Sequence, residues 1–552
     1  MILTGAEIVI EELVAQGVDT VFGYPGGFVI NIYDALDKNS HRINHVLTAH
    51  EQGAAHAADG YTRLSGRSGV ALATSGPGAT NLVTGIANAY LDSVPVVFIT
   101  GNVPAHMLGR DAFQEIDIAS VTLPLVKHSY VVRDVKKIQY AMREAFLIAQ
   151  SGRKGPVLID IPKNAQIDSC EYYPDLKVSL PTEIKKTFNI DALDEAIEAI
   201  EKSKRPYIYC GGGVNASGTG PLAVELSAKL RAPIAMSIMG IGAVPDSYEL
   251  NLGMCGMHGR YGSTFAQFEA DLVIALGVRF SDRATGNVKE YAKNCTIVHV
   301  DIDAAEIGKN VEPIISLCGD LAKVLPLLVE KVAARQAGEW QARVMELKAK
   351  WDTRIGEDFI PRNIIGLVNS YFDDDTAVST DVGQHQMWTA QCYRFEKPRR
   401  FLTSGGLGAM GFGMGAAIGA CIANGRKRTV LFTSEGSFGM NLTEMATAVT
   451  QNLPIVVVLL NNGVLGMVRQ WQTLFFSQRY SQTTLDCRTD FPALARAFGA
   501  AGFSASSMGE LDNILKNLPE SGPCLIDCII GRDEMVFPMI PPGGSAKDII
   551  TE

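Results

Sequence analysis

The sequence lacks any basic block. Its 49 lysines and arginines against 59 aspartates and glutamates leave a formal net charge of −10, which argues against a nucleic-acid partner held by phosphate neutralisation. The close cysteine pairs of a zinc site are also missing. Ten cysteines lie scattered through 552 residues, the usage of reduced, mostly buried thiols in a cytosolic protein; Cys524 and Cys528, four apart, fall on one face of an expected strand. The opening residues, MILTGAEIVIEELVAQG, have neither the basic start nor the apolar core of a signal peptide and read as an amphipathic helix. One uncharged run, 401–424, has the length to cross a bilayer. Its glycines (GGLGAMGFGMGAAIGA) suit close helix packing or backbone approach to a ligand better than lipid, so no membrane partner is expected.

What is present describes a folded chain rich in tight turns, with 47% hydrophobic residues, 20% charged residues and 54 glycines, and length for roughly three or four domains. Buried-strand runs alternate with helical periods along nearly all of it: DTVFGYPG, GVALATSGPGATN, VPVVFITGN and GPVLIDIP, then RPYIYCGGGV, APIAMS, ADLVIALGVRF, CTIVHVDID and ISLCGD. The expected class is α/β, with three doubly wound parallel-sheet domains: 1–167, 191–330 and 363–552. A proline-bearing linker, 168–190, and a charged helical linker, 331–362, separate them. An internal echo ties the outer domains. Thr74-Ser75-Gly76 and Val94-Pro95-Val96 recur at the same interval as Thr433-Ser434-Glu435-Gly436 and Leu453-Pro454-Ile455, as two copies of one fold would show.

The rest is organised around 429–471. A buried strand, an acidic turn at Ser434-Glu435-Gly436, an amphipathic helix expected near 441–451, a second buried strand and Asn461-Asn462 follow in order. Consecutive parallel strands place a carboxylate and a carboxamide together at the carboxyl edge of the sheet, where such sheets bind ligands. Oxygen ligands beside a helix start suit a hard divalent cation carrying a phosphorylated cofactor.

This segment resembles the cofactor signature of thiamine diphosphate enzymes, and its continuation GMVRQWQTLFF resembles the acetohydroxyacid (acetolactate) synthases in particular. The likeness covers nearly the whole chain. It implies thiamine diphosphate held through Mg²⁺, with Glu435, Asn462 and the Val464 carbonyl as metal ligands. Gly383, Gln384 and His385 of TDVGQHQMW, with Gly436, Ser437 and Met467, would bind the cofactor. In GLGAMGFG, Gly408 and Met410 would do so too, with Met410 propping its bent form. Glu51 in HEQGAAHAADGYTR would bond the aminopyrimidine. Without the resemblance, that glutamate is helix-start capping. Gly27 of GYPGGFV would lie by the reacting carbons. From DAFQE, Gln114 and Phe113 would face substrate, and Lys127 of VKHSY would join the catalytic group. Because Glu51 and the metal turn sit in different domains, the resemblance implies active sites between subunits of a homodimer or homotetramer. Three departures stand out: Glu435 replaces the family's aspartate, Phe28 its alanine, and Met414-Gly415 its Leu-Pro.

In the middle domain, glycine turns and acidic strand ends resemble the structural FAD site of the same family, implying roles for Gly211, Gly212, Gly213, Gly256, Met257, His258, Gly277, Arg279, Asp282, Arg283, Asp301 and Asp320. Arg283 is further expected to hold the carboxylate of a 2-ketoacid, a task suited to a planar guanidinium, and Trp471 to shape the acceptor pocket. The implied activity is decarboxylation of pyruvate and ligation of the remaining fragment to a second 2-ketoacid in branched-chain amino-acid biosynthesis, in the cytoplasm, with a regulatory subunit as a possible partner. Two alternatives stay open: a related thiamine diphosphate lyase or oxidase, and a catalytically degenerate paralogue.

Overall fold

The computed structural model describes residues 1–180, 190–291, 293, 295–312, 315–351, 354–485 and 489–551. Three six-stranded sheets, parallel throughout and flanked by helices, account for the α/β alternation read from the sequence. Their strands are nearly continuous apolar runs because both faces are covered. When each sheet's strands are numbered along the chain, the two outer sheets have the same spatial order, 2-1-3-4-6-5. The middle sheet is ordered 3-2-1-4-5-6, the doubly wound arrangement that binds dinucleotides at its switch point. The echo between Ser75/Pro95 and Ser434/Pro454 is therefore one topology used twice.

The expected N-terminal helix begins at Gly5, after a strand Ile2–Thr4 that pairs antiparallel with Ser169–Glu171. Thr4 and Glu7 form a capping box there, the reciprocal bonding that fixes a helix start. The first residues of the expected 168–190 linker thus complete the first domain; 181–189 lie outside the described residues. Between 331 and 362 the charged helix is Glu339–Ala349, and the third domain's first helix starts at Pro361.

Eight elements carry the site: helices α1 (Glu51–Ser65), α2 (Val83–Leu91), α3 (Phe412–Ala423), α4 (Glu435–Asn441), α5 (Glu444–Thr450) and α6 (Gly466–Phe475), with strands β1 (Thr429–Thr433) and β2 (Ile455–Asn461). The helix expected near 441–451 is α5, and a further helix, α4, precedes it. Glu435 is the first residue of α4 behind Ser434, so the acidic turn is itself a helix start. The glycine-rich run at 401–424 becomes a short strand, a loop and α3, which packs along α1. A Cβ on Gly419 would overlap the Ala57 carbonyl, and one on Gly60 the Ala416 carbonyl. Among the described residues no helix is long and apolar enough to cross a membrane. The α1–α3 contact belongs to one core, shared between the outer domains, that holds Ala54, Ala57, Met414, Ala417 and Ile418 with Leu431 and Leu459.

Candidate active site

At the carboxyl ends of β1 and β2 the two expected side-chain metal ligands, Glu435 and Asn462, meet beside Val464. Glu435 Oε1 accepts the Val464 amide at 3.0 Å, and Asn462 Oδ1 accepts the same amide at 3.3 Å. The other Glu435 oxygen, Oε2, is buried with no hydrogen-bond partner. An oxygen buried without a donor is costly, and this burial pushes the Glu435 carboxyl up to about 7. A divalent cation would satisfy that oxygen, so the donor set of one carboxylate and one carboxamide, open to phosphate and water, fits Mg²⁺. Asn462 Nδ2 donates to Gln384 Oε1 at 3.3 Å, and Gln384 Nε2 donates to Gln470 Oε1 at 3.1 Å and to the Glu534 carbonyl at 2.7 Å.

The diphosphate residues gather beside this turn. Ser437 Oγ donates to the Val382 carbonyl at 2.9 Å. Gly383 has φ +153°, and a Cβ there would lie 2.8 Å from the His385 ring. His385 Nε2 is buried without a partner, and burial pulls the imidazole down to about 3, so it is neutral. A Cβ on Gly436 would sit 3.8 Å from Met410 Cε, which places Met410 over the first turn of α4. Gly408 precedes it at φ +72°. The buried Asp381, not singled out in the sequence, accepts the Gly413 amide and the Thr433 hydroxyl, both at 2.7 Å, fixing α3 against β1.

The first-domain residues form a second cluster. Glu51 opens α1 behind His50, whose Nδ1 accepts the Gln52 amide. Its Oε2 accepts from Asn81 Nδ2 at 2.9 Å, and Oε1 lies 3.2 Å from where a Gly78 Cβ would be. Gln114 backs onto Gly76 of the same TSGPG turn, within 3.0 Å of an added Cβ. A Cβ on Gly27 would meet open space, and Phe113 is 81% exposed. Among the described residues no hydrogen bond of the Glu51 carboxylate goes to the metal turn, and the two clusters stand apart within one chain. Glu444, at the start of α5, is the neighbour of Glu51 that the sequence did not signal. It is fully buried and accepts the Ala49 and His50 amides. Lys127 stands apart from both clusters. Its ammonium donates to the Ile148 and Ser151 carbonyls at the end of helix Ile138–Gln150, and burial lowers it to about 8. That is helix-end capping.

The middle-domain residues divide between two places. A cavity of about 1580 Å³ is lined by Gly211, Gly212, Gly213, Gly277, Arg279, Asp301 and Asp320. A Cβ on Gly211 would overlap the Gly277 carbonyl, and Gly277 itself has φ +58°, so the wall is bare backbone that a dinucleotide could approach. Asp320 caps the following helix through the Ala322 amide, and burial raises Asp301 to about 6. Gly256, Met257 and His258 do not line this cavity. The Met257 amide donates to the Arg283 carbonyl at 2.7 Å, and a Cβ on Gly256 would lie 2.9 Å from that same oxygen. The motif therefore supports the backbone of Arg283. His258 is buried and pulled down to about 4. Asp282 is exposed and pairs loosely with Arg283 at 3.7 Å.

Arg283 instead faces α6. Its guanidinium carbon lies 5.4 Å from the Trp471 ring centroid. Both residues line a second cavity, about 740 Å³, with Met467, Val468, Phe476 and Arg479. A guanidinium over an aromatic face within an apolar pocket offers a cation beside hydrophobic surface. Through Gln470 and Gln384, α6 connects this pocket to the metal turn. Gln470, buried and bonded also to Val536, is a further residue that the motif contained without marking.

Three family models for thiamine pyrophosphate enzymes match the chain: the N-terminal TPP binding domain over 3–121, the central domain over 193–328 and the C-terminal TPP binding domain over 381–528. Among curated relatives, acetolactate synthase isozyme 1 large subunit of Escherichia coli K12 is 42% identical, covering 100% of this chain and 98% of its own. The chloroplastic acetolactate synthase 3 of Brassica napus is 44% identical over 99% of this chain and 87% of its own. A probable acetolactate synthase large subunit of Methanocaldococcus jannaschii is 42% identical over 99% and 95%. These likenesses show that the chain belongs to the acetolactate synthase large subunits among the thiamine pyrophosphate enzymes.

Proposed function

We propose that this chain decarboxylates pyruvate and joins the remaining two-carbon fragment to a second 2-ketoacid, pyruvate or 2-ketobutyrate. The products are CO₂ and 2-acetolactate or 2-aceto-2-hydroxybutyrate, precursors of branched-chain amino acids. The observation that carries the reading is the pocket in which Arg283 stacks on Trp471 beside Met467, on a helix tied through Gln384 to the metal turn. Bound thiamine diphosphate supplies the electron sink for decarboxylation. Glu435, Asn462 and the Val464 carbonyl hold Mg²⁺; Gly383, Gln384, His385, Gly436 and Ser437 bind the diphosphate; Met410 and Gly408 support the cofactor. Arg283 orients the carboxylate of the second ketoacid, and Trp471 limits its alkyl end.

Glu51, Gly27, Gln114 and Phe113 serve the metal turn of a second copy, since within one chain Glu51 is bonded to Asn81 of its own domain. The working assembly is a homodimer or a pair of them in the cytoplasm. The designation "large subunit" among its relatives supports a smaller regulatory partner. FAD occupies the 1580 Å³ cavity as a structural group. Incubation of the purified protein with pyruvate, thiamine diphosphate, Mg²⁺ and FAD tests the reading by measuring acetolactate and CO₂ together. Formation of both is expected. CO₂ without acetolactate identifies another thiamine diphosphate lyase, and neither product under varied divalent metals identifies a degenerate paralogue.

A further inference from the structure

The segment 404–411, between a short strand and α3, carries the cofactor residues Gly408 and Met410 and has no regular structure of its own. Four of its residues are glycines, two at positive φ: Gly408 at +72° and Gly411 at +86°. Such a segment has large conformational freedom and cannot hold Met410 in place unaided. Its two ends are held within its own domain, where Gln386 Nε2 donates to the Ser404 carbonyl at 3.1 Å and Asn441 Nδ2 to the Gly411 carbonyl at 3.2 Å, and the glycines between are fixed from the first domain. Asp92, just after α2, accepts the Gly405 amide on Oδ2 at 3.0 Å and the Gly406 amide on Oδ1 at 2.7 Å. Asn88 on α2 accepts the Ser404 hydroxyl at 2.6 Å, and Ser404 Oγ in turn accepts the Ala409 amide at 2.9 Å.

The buried Arg63 of α1 joins these contacts. Its Nη2 donates to Asp92 at 2.8 Å, its Nε donates to Asp59, and its guanidinium carbon lies 5.3 Å from the ring centroid of Phe412, the first residue of α3. Arg63 therefore grips both ends of the segment, through Asp92 at Gly405 and directly at Phe412. The side chains of Asp59 and Asp92 are fully buried, and that of Arg63 is 8% exposed. Buried ion pairs are poor sources of stability but good devices for fixing one arrangement. The approach is close enough that a Cβ on Gly406 would lie 2.9 Å from Asp92 Oδ1. Gly405 and Asp92 also face the 1580 Å³ cavity, so the clamped segment is the wall between the two cofactor regions.

We propose that Arg63, Asn88 and Asp92 are positioning residues that clamp 404–411 and thereby set Met410 over the thiamine diphosphate site. This inference rests on the reading of that site given above. The full-length protein is compared with Asp92→Asn and with Ser404→Ala, which removes only a hydroxyl and keeps the test open if the first variant does not fold. Amide exchange across 404–411 is expected to quicken at least roughly ten-fold in each, with strands Val70–Ala73 and Val97–Asn102 unchanged. The Kd for thiamine diphosphate, read from tryptophan fluorescence, is expected to rise about ten-fold. Unaltered exchange across 404–411, or quickening spread evenly through the first sheet, overturns the clamp. Faster exchange with an unchanged Kd overturns its positioning role. If the unmodified protein binds no thiamine diphosphate, the site reading falls while the exchange data still judge the clamp.

Discussion

Replacing Glu435 by aspartate tests how the metal turn tolerates its longer carboxylate. The substitution withdraws the carboxylate toward the backbone by one methylene, about 1.5 Å. Glu435 Oε1 is 3.0 Å from the Val464 amide, so that hydrogen bond is lost. The amide is not orphaned, because Asn462 Oδ1 remains at 3.3 Å, and the cofactor-free protein should lose no more than about 1 kcal/mol. The metal responds more strongly. Mg²⁺ requires near-octahedral oxygens at about 2.0–2.1 Å, whereas Ca²⁺ accepts about 2.3–2.6 Å in loose geometry. Glu435 should therefore weaken Mg²⁺ and blunt its selectivity over larger ions. The aspartate variant should tighten Mg²⁺ about ten-fold, roughly 1.4 kcal/mol, with a smaller gain for Ca²⁺. Equilibrium titrations of each ion at saturating thiamine diphosphate, followed by tryptophan fluorescence, give both constants. Equal Mg²⁺ affinities in the two proteins would refute the argument that the extra methylene matters.

Other expectations follow from the same geometry. Arg283→Lys removes the planar fork and the stacking on Trp471; steady-state assays should show the acceptor KM rising roughly ten- to hundred-fold while CO₂ release from pyruvate persists. Asp160 is buried between the Thr100 hydroxyl and the Asn102 amide, and burial raises it to about 7 from 3.8. The folded state therefore retains a proton that the unfolded chain has already released, and stability falls as pH rises through that window by at most about 1.4 kcal/mol per pH unit. Asp160→Asn should flatten that slope in thermal melts taken across it. Gly419→Ala drives a methyl into the Ala57 carbonyl and should lower the Tm by several degrees in calorimetry, reflecting roughly 1–3 kcal/mol of overpacking; an unchanged Tm would show that the α1–α3 contact can relax.

The strands with continuous apolar runs, such as Ile455–Asn461 and Leu272–Leu276, were legible because burial on both faces leaves a pattern that no loop imitates. The strands His128–Val131 and Asn251–Met254 carry no such signal: each is four residues long, and the second runs into the glycines of GMCGMHG. Glu435 and Asn462 could be paired from sequence since each follows a strand in one sheet. Nothing local could pair Arg283 with Trp471, which lie in different domains and meet only through tertiary packing. Gly256, Met257 and His258 share a motif that gives no sign of its neighbours in the fold; the Met257 amide bonds the carbonyl of Arg283, whose side chain lines the smaller cavity. Lys127 shows the opposite failure, since a motif carries a residue's identity without its orientation, and here the ammonium closes a helix end.

The helix pair α1–α3 bears on how large molecules enter and leave. The outer domains share a single oil-filled seam with backbone against backbone at Gly60 and Gly419, and Glu444 pins the start of α1 from the opposite domain. A protein stitched this way cannot gape like a clamshell. Opening of a site completed by a second copy is left to surface segments and to the contact between copies, so crosslinking the two outer domains of one chain to each other should leave the kinetics of cofactor exchange untouched.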